Sequence, residues 1–535
     1  MVSCGDFVLG CARLAITDRR STQPVVLRGG RYTAVLNGAI TNARALWQDL
    51  RPRMLRRDRL PNDAWLPLLL VARGEPERLA SLMGHHALAV VDAHTNRLWL
   101  SRDAMGEKPL FVVREQGAVV AFASTLPALR ELGIVASLPE ASVARFFCYG
   151  NTGSVAHTTA GRSIDGDGTN VSQQAIAAGR TVPSMGASVP FASALSAATA
   201  RCVDAEPAVA LSLSGGVDSS CLAAVLKQQG RAVAAYQFAA SGSNGDERSI
   251  AREVAAHCGH HLRLVDGGPE VLAALPELTR HWGLPLGDPS VLAVHAVARA
   301  AAADGVRILL SGEGADEALL GYQRHRALRF AICLGGPMGR LWQWSSSYRA
   351  RLWRAMWASR PYDVLLEVTP PGFRRAVLAR GDEPLPLGLQ WSRTSFERRL
   401  ALAGAIDRDV YLRHDLLPKL DVATMAAQIE GRCPFLDGEV QSSAAALPWQ
   451  QRYRKQPLRA AYAASLPRSV FAQRKRGFSL PLDRWFRTDL PFLDLLREPR
   501  TRQRQHLHAR GLDAAIDRHR SGKADLGHGL YLLVA

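Results

Sequence analysis

Lysine is almost absent from this sequence. Six of its 66 basic residues are Lys, against 48 acidic residues and a net charge of +18, so the positive excess is carried by Arg. A basic surface favours anionic partners such as nucleotides, nucleic acids or acidic peptides. An Arg-only skew also follows from genome base composition, and nucleic-acid binding is not expected. The eight Cys, at 4, 11, 148, 202, 221, 258, 333 and 433, show no CxxC spacing. That argues against a zinc site or a disulfide framework and fits a reducing, cytoplasmic setting. No uninterrupted apolar run reaches the ~18 residues of a membrane span. Val8-Leu9-Gly10-Cys11 faintly resembles a lipoprotein cleavage site, but no basic region precedes it, Asp6 interrupts it, and the apolar run is too short. No repeat period is evident.

What is present is a soluble globular composition, 47% apolar and 21% charged over 535 residues, enough for two or three domains. Roughly the first 135 residues are β-rich, with short runs at Tyr32–Leu36, Ala87–Val91, Arg97–Leu100, Leu110–Val113 and Val119–Phe122. Turn formers such as Asn37-Gly38 and Glu115-Gln116-Gly117 separate them. Residues of about 150–190 are rich in Gly, Ser, Thr and Asn and predict a loose linker. From Ala208 the pattern alternates: strand Ala208–Leu213, a Gly loop, a helix over 218–229, strand Ala232–Phe238, a helix over 246–258 and strand His261–Val265. A helix over 290–303 then leads to strand Val306–Leu310 and a second Gly loop. Such alternation predicts a parallel α/β sheet, whose ligands bind at the carboxyl ends of the strands. Beyond about 320 the chain is predicted mostly helical, with many Trp and Arg.

Ser214-Gly215-Gly216-Val217-Asp218-Ser219-Ser220 lies between a strand and a helix. Its glycines let backbone approach a phosphate, and its hydroxyls and the helix's first amides can donate to one. It lacks the Lys of a GxxxxGK[ST] phosphate loop. Asp218 would repel a bare phosphate and makes sense as a Mg²⁺ ligand. The bland alternative is an ordinary Gly turn.

These residues match the signature of ATP-pyrophosphatases, and the chain as a whole resembles the asparagine synthetase family. Ser311-Gly312-Glu313-Gly314-Ala315-Asp316-Glu317 with Gly321-Tyr322, Asp288-Pro289-Ser290, and Glu430-Gly431-Arg432-Cys433-Pro434-Phe435-Leu436-Asp437 resemble its synthetase motifs. So do Lys455 and Arg474-Lys475-Arg476-Gly477-Phe478. Arg13–Asp18, Asn37–Asn42 and Arg102–Leu110 resemble motifs of its glutaminase domain. The resemblance implies a degenerate glutaminase-like (Ntn-type) α+β sandwich over 1–148, a linker over 149–190, and an α/β ATP-pyrophosphatase domain with a helical C-terminal part over 191–535. It implies that Asp218 and Asp316 hold Mg²⁺-pyrophosphate, with Ser214, Gly215, Gly216 and Ser219 in the loop. It places Leu213, Phe238, Ser311 and Gly312 against adenosine and Glu313 beside an adenylated intermediate. Lys475 would stabilise charge on pyrophosphate or a tetrahedral intermediate; a solvated basic turn is the alternative. Glu430 would orient the base or the attacking amine; an ion pair with Arg432 is the alternative.

The family pattern breaks in the first half. Glutamine-using members open, after Met removal, on a nucleophilic Cys, where this chain has Val2. Cys4 is not terminal, and it and Cys11 suit small buried apolar roles. The first strand and loop of a glutaminase domain are expected to be missing, by truncation or a misassigned start codon. The Glu of the family's NGE motif is Ala39. Glutaminase activity is therefore not expected, and the amine must come from elsewhere. Family members of this kind include β-lactam synthetases, which carry Tyr where this chain has Glu313, and lasso-peptide macrolactam cyclases. The expectation is an AMP-forming ligase that joins an Asp or Glu side chain of a precursor peptide to its own N-terminal amine. A leader-peptide-binding protein and a leader protease would be its partners, and the basic, Trp-dotted segment of about 340–360 a candidate border of the peptide site. Asparagine synthesis from a small carboxylate and ammonia or glutamine is the alternative, and a non-catalytic scaffold a further one.

Overall fold

In the computed structural model, the residues described are all except 15, 17–21, 51–59, 61, 135, 154, 159–162, 166–188, 205–207, 242–245, 329–340, 380–386, 388–394, 473–479, 489–490 and 499–506. Most of the expected linker, and part of the Arg13–Asp18 motif, lie outside them.

A short hairpin, β1 (Val2–Cys4) and β2 (Phe7–Leu9), opens the chain. A four-stranded antiparallel sheet follows in the order β3 (Val25–Leu27), β4 (Tyr32–Ile40), β5 (Gly84–Asp92) and β6 (Arg97–Arg102). Both of its faces are buried, which is why β4 and β5 are nearly continuous in apolar residues. Tyr32, Ala34, Leu36, Leu88 and Val90 face helices α1 (Ala43–Leu50) and α2 (Trp65–Ala72). The alternate residues Val35, Ala87, Ala89 and Val91 meet Leu110 and Val112 of the second sheet, the period-two division that a strand imposes. That second sheet runs β8 (Ala118–Ala123), β7 (Phe111–Glu115), β11 (Ser163–Asp165), β10 (Val155–Thr158) and β9 (Ala136–Ser137). Strands β10 and β11 fall within the stretch predicted to be linker. They are short and polar, so period gives no sign of them, and the backbone pairing of Ser163–Asp165 with Arg114–Val112 recruits them.

The second half carries a five-stranded, wholly parallel sheet ordered β14 (His261–Gly267), β13 (Ala234–Ala240), β12 (Val209–Ser212), β15 (Ile308–Leu310) and β16 (Glu430–Arg432). Helices α3 (Phe191–Val203), α4 (Val217–Gln228) and α5 (Asp246–Cys258) pack on one face, where Leu211, Leu213 and Leu310 join Leu222, Val225 and Val254. Helix α6 (Ser290–Ala303) covers the other through Leu292 and Val297 against Tyr236 and Leu309. From β12 the chain winds outward to β14, then returns to lay β15 on the opposite side of β12. The order reverses there, and a crevice opens at the carboxyl ends of β12 and β15.

Lys108, in the loop between β6 and β7, is 2% exposed and crosses between the halves. Its Nζ lies 2.8 Å from Asp421 and 3.7 Å from Glu430. His85 of β5 reaches the same Glu430 at 3.4 Å. Truncating one partner of such a buried set leaves charge uncompensated, at about 3–5 kcal/mol. Lys108→Ala should lower unfolding stability by that amount in urea titrations; a change within about 0.5 kcal/mol, as at an ordinary surface site, would mean that the contact does not join the halves.

Candidate functional site

The two glycine loops lead directly out of β12 and β15, so the carboxylates they carry meet over the crevice. In the first loop, Gly215 takes a left-handed backbone (φ 80°) that turns the strand into α4. Ser214 and Ser219 hydroxyls lie 3.1 Å apart, Gly216 N donates to Ser214 Oγ at 3.2 Å, and no side chain caps α4. The first turn of α4 thus meets an incoming anion with its backbone amides. Gln237 of β13 donates to the Ser214 carbonyl at 3.2 Å and fixes the loop from the side.

The second loop packs against the first. A Cβ on Gly312 would stand 3.0 Å from Asp218 Cβ and 3.3 Å from Ser219 N, so only glycine lets the loops close to this degree. Ser311 is buried and donates its amide to the Arg432 carbonyl at 2.9 Å. Leu213 and Phe238 are buried at the carboxyl ends of β12 and β13, and Leu213 N donates to the Tyr236 carbonyl.

Between the carboxylates of Asp218 and Asp316 sits a cation that sequence reasoning placed only as a family-like residue. Lys455 Nζ is 2.7 and 2.5 Å from the two oxygens of Asp218 and 2.8 Å from Asp316. The paired carboxylates hold its ammonium charged against the cost of burial, raising its pKa. Arg454 and Lys455 both adopt left-handed backbone (φ 59°), and their amides donate to Leu320 and Leu319 carbonyls, which aims Lys455 inward. Gly321 has no room for a side chain here: its Cβ would meet Asp316 Oδ1 at 2.1 Å and Lys455 Cε at 2.2 Å.

This cluster tests the fit of Mg²⁺. Lys455 is a stand-in cation, and it shows that both carboxylates point to one cationic seat. Among the described residues no group of three or more His, Cys, Asp or Glu could hold a metal alone. A divalent ion held by Asp218 and Asp316 would take its remaining ligands from phosphate and water, as Mg²⁺ prefers.

Glu313 lies to one side. Lys419 Nζ is 3.0 Å from its Oε1 and 3.3 Å from Asp288, so the Asp288-Pro289-Ser290 segment joins the site through that Lys. Lys419 holds the Asp288 carboxyl below its usual range, although burial opposes it. Asp415, buried beside Asp288, is pushed well above the carboxylate range, chiefly by desolvation. Glu430 is not brought to either loop. It sits opposite Ile308 in β15; its Oε2 accepts from both Nε and Nη2 of Arg432 at 2.7–2.8 Å, and its Oε1 faces His85 and Lys108. The ion pair with Arg432 is therefore formed. Of the 340–360 segment, Arg354 is buried against Glu367 at 2.8 Å, in the helical part. Lys475 and the surrounding RKRG cluster lie outside the described residues. The sequence reasoning missed the roles of Lys108, Lys419 and Asp421. The signal was present: in a chain with six Lys, four of them sit in motif-like stretches, at 108, 419, 455 and 475.

Comparison with known proteins agrees with this geometry. The asparagine synthase family model matches residues 191–535, and the glutamine amidotransferase domain model matches residues 1–165. A putative glutamine-hydrolysing asparagine synthetase of Mycobacterium tuberculosis is 28% identical over 99% of this chain and 88% of its own. Asparagine synthetase 1 of Bacillus subtilis, also named glutamine-hydrolysing, is 27% identical over 52% of this chain and 47% of its own.

Lys455→Ala leaves Asp218 and Asp316 facing each other without that cation. The metal-free variant should melt below the parent protein, and Mg²⁺ should raise its Tm by more than it raises the parent's, since only the variant's seat is vacated. Equal responses to Mg²⁺ in thermal unfolding would show that the metal binds elsewhere.

Proposed function

The chain belongs to the asparagine synthase family and is an ATP-dependent carbon–nitrogen ligase, and on that premise we propose that it closes a macrolactam on a lasso precursor peptide. A family that uses ATP supplies the first step. A side-chain carboxylate of Asp or Glu attacks the α-phosphorus, pyrophosphate departs, and an acyl-adenylate forms. The peptide's N-terminal amine then attacks the acyl carbon and AMP departs, leaving an amide and one proton to be taken up.

In this reading each role falls to a particular residue. Ser214, Gly215, Gly216 and Ser219 receive the pyrophosphate, with the first-turn amides of α4 behind them. Mg²⁺ on Asp218 and Asp316 would neutralise the leaving group. Lys455 moves from the carboxylates to the phosphates as these enter, a shift of hydrogen-bond partner over one side chain's reach. Leu213, Phe238, Ser311 and Gly312 form the wall for adenosine. Glu313, ion-paired to Lys419, is seated to accept the proton of the attacking amine. Glu430 acts through the fold instead, by keeping β16 and Arg432 in place under Ser311.

The observation that carries the choice of amine is the first half. Position 39 in β4 is Ala, so the carboxylate that would hold substrate glutamine is missing. Cys4 is buried with its thiol toward the Gly30 carbonyl at 3.5 Å, and burial raises the pKa of Cys11. Cys4 lacks the exposure of a nucleophilic thiol, and Cys11 lacks the lowered pKa. An amine already on the substrate removes the need for glutamine. A precursor peptide, a leader-peptide-binding protein and a leader protease are the partners this reading calls for. The second reading, asparagine synthesis, is favoured by the Mycobacterium relative, which is named for that activity and matches nearly the whole chain. A non-catalytic scaffold would have no use for Asp218, Asp316 and Lys455 assembled at ion-pair distance.

Purified protein with Mg-ATP and the linear precursor should release AMP and give a peptide lighter by one water in mass spectrometry. ADP in place of AMP would sink the acyl-adenylate chemistry. AMP release driven by aspartate, with asparagine as product, would replace this reading with the second.

A further inference from the structure

A pocket opens between the two halves beside the Glu313–Lys419 pair. Its inner end is made by Asp288 and Lys419, so it reaches the second glycine loop. Its apolar side includes Phe111 of the first half and Trp282 of the second, ring centroids 5.2 Å apart, with Leu286 and Val291. Arg102 and Asn151–Gly153 of the first half complete one wall.

The opposite wall comes from an unusual helix. Residues Asp407–Leu416 wind as a π-helix between α-helical segments Phe396–Ile406 and Leu417–Ala426. A run of ten such residues is rare, and π-turns concentrate at functional sites. Successive side chains diverge less in this wider turn, and Arg413, His414 and Asp415 all line the pocket. The first turn is fixed by Asp407, which is fully buried and bound by Arg324 at 2.8 Å, His325 at 2.7 Å and Tyr362 at 2.6 Å. Arg413 in turn is steadied by the first half. It donates to the Ala104 carbonyl at 2.6 Å, and its stem lies against Gly106. Its Nε is buried and has no hydrogen-bond partner among the described residues. A buried donor left in this state is costly unless a ligand completes it.

We propose that this pocket seats the acyl substrate and that the substrate is a peptide. Arg413 donates to a backbone carbonyl, the Phe111–Trp282 floor takes an apolar side chain next to the reacting Asp or Glu, and the glutaminase-like half serves as a wall of the substrate site. This rests on the reading that the enzyme activates a peptide carboxylate. A free amino acid makes no use of an aromatic floor beside the cationic rim. The loop that carries Leu286 and Gly287 is set for this role. A Cβ on Gly287 would lie 2.0 Å from the Gly150 carbonyl oxygen, and Tyr531 and His528 hydrogen-bond the Leu286 and Gly287 carbonyls from behind.

The probe is a fluorescently labelled synthetic linear peptide with a free N-terminal glycine and one internal aspartate flanked by leucine and phenylalanine. Its binding is followed by anisotropy in the presence of a non-hydrolysable ATP analogue. Arg413→Met should weaken binding about tenfold or more, the loss of a charge-assisted hydrogen bond, and leave the affinity for the nucleotide analogue unchanged. Phe111→Leu should weaken the peptide and not the nucleotide; circular dichroism and melting check that both variants fold, and Arg413→Lys serves if Arg413→Met does not. Failure of the parent protein to bind the peptide, or equal peptide affinity in the parent and both variants, overturns the proposal. AMP release is scored separately. Peptide binding that depends on Arg413 without AMP release would leave this pocket standing and remove the macrolactam reading.

Discussion

Two carboxylates forced together at neighbouring strand ends are the constraint from which the rest of the site follows. Strands β12 and β15 are adjacent, about 4.8 Å apart as paired strands are, and each continues into a loop whose acid turns over the same crevice. Asp218 and Asp316 cannot both be ionised there without a cation between them. Lys455 fills that place from more than a hundred residues further along the chain, and the backbone accepts strain to bring it. Leu320, Arg454 and Lys455 all have positive φ (49°, 59° and 59°) without being glycine. Such conformations cost of order 1 kcal/mol each and persist where surrounding contacts over-determine them. Here Arg454 N donates to Leu320 O and Lys455 N to Leu319 O, so the strained residues hold one another.

The same device recurs. Lys108 lies between Asp421 and Glu430, Lys419 between Glu313 and Asp288, and Lys455 between Asp218 and Asp316. All three are buried. The chain's other basic residues are nearly all Arg, and Arg31 and Arg201 set the guanidinium fork on both oxygens of one carboxylate, Asp92 and Asp437, while Arg201 and Arg78 also reach a second acid, Glu439 for Arg201 and the pair Asp49 and Glu75 for Arg78. The two cations differ in geometry. A planar guanidinium matches one carboxylate bidentately, whereas a compact ammonium with three rotatable donors can bridge two that approach from different elements. Three of the six lysines, 108, 419 and 455, stand where one point charge is shared between two acids.

That pattern also marks the limit of what the sequence disclosed. The two glycine loops were legible because each is local: an apolar strand, glycines, then a helix start within a dozen residues. The strands and helices around them agree with their sequence ranges to within a few residues, since the central strands β12, β13 and β15 are buried and mostly apolar. The cation between the acids was not legible as such, because nothing in the run around Lys455 shows that Gly321 and Leu320 lie beneath it. Glu430 has the same motif context whether it serves substrate or Arg432, and only the pairing of β16 with β15 sets it back from the loop. The π-helix leaves no mark in apolar period, because buried polar anchors such as Asp407 set it, not a hydrophobic stripe. Strands β10 and β11 are four and three residues of mixed polarity, held by backbone pairing and by Ile164, which is buried in the core.

These contacts bear on why a first half without the glutamine-binding carboxylate remains part of the molecule. Its Lys108 neutralises Asp421 and Glu430 inside the second half, and its Ala104 and Gly106 position Arg413. Removing it would take from Asp421 and Glu430 the ammonium they share, leave Glu430 to Arg432, and free Arg413 from the Ala104 carbonyl, whatever the substrate. The interface of the half that carries Ala39 with the ligase half is tied by the ion pairs of Lys108 and His85 with Asp421 and Glu430, and those contacts depend on neither glutamine nor ammonia. What that interface can acquire is a second use for the space it encloses, and Arg413 with its unfilled donor stands at the edge of that space.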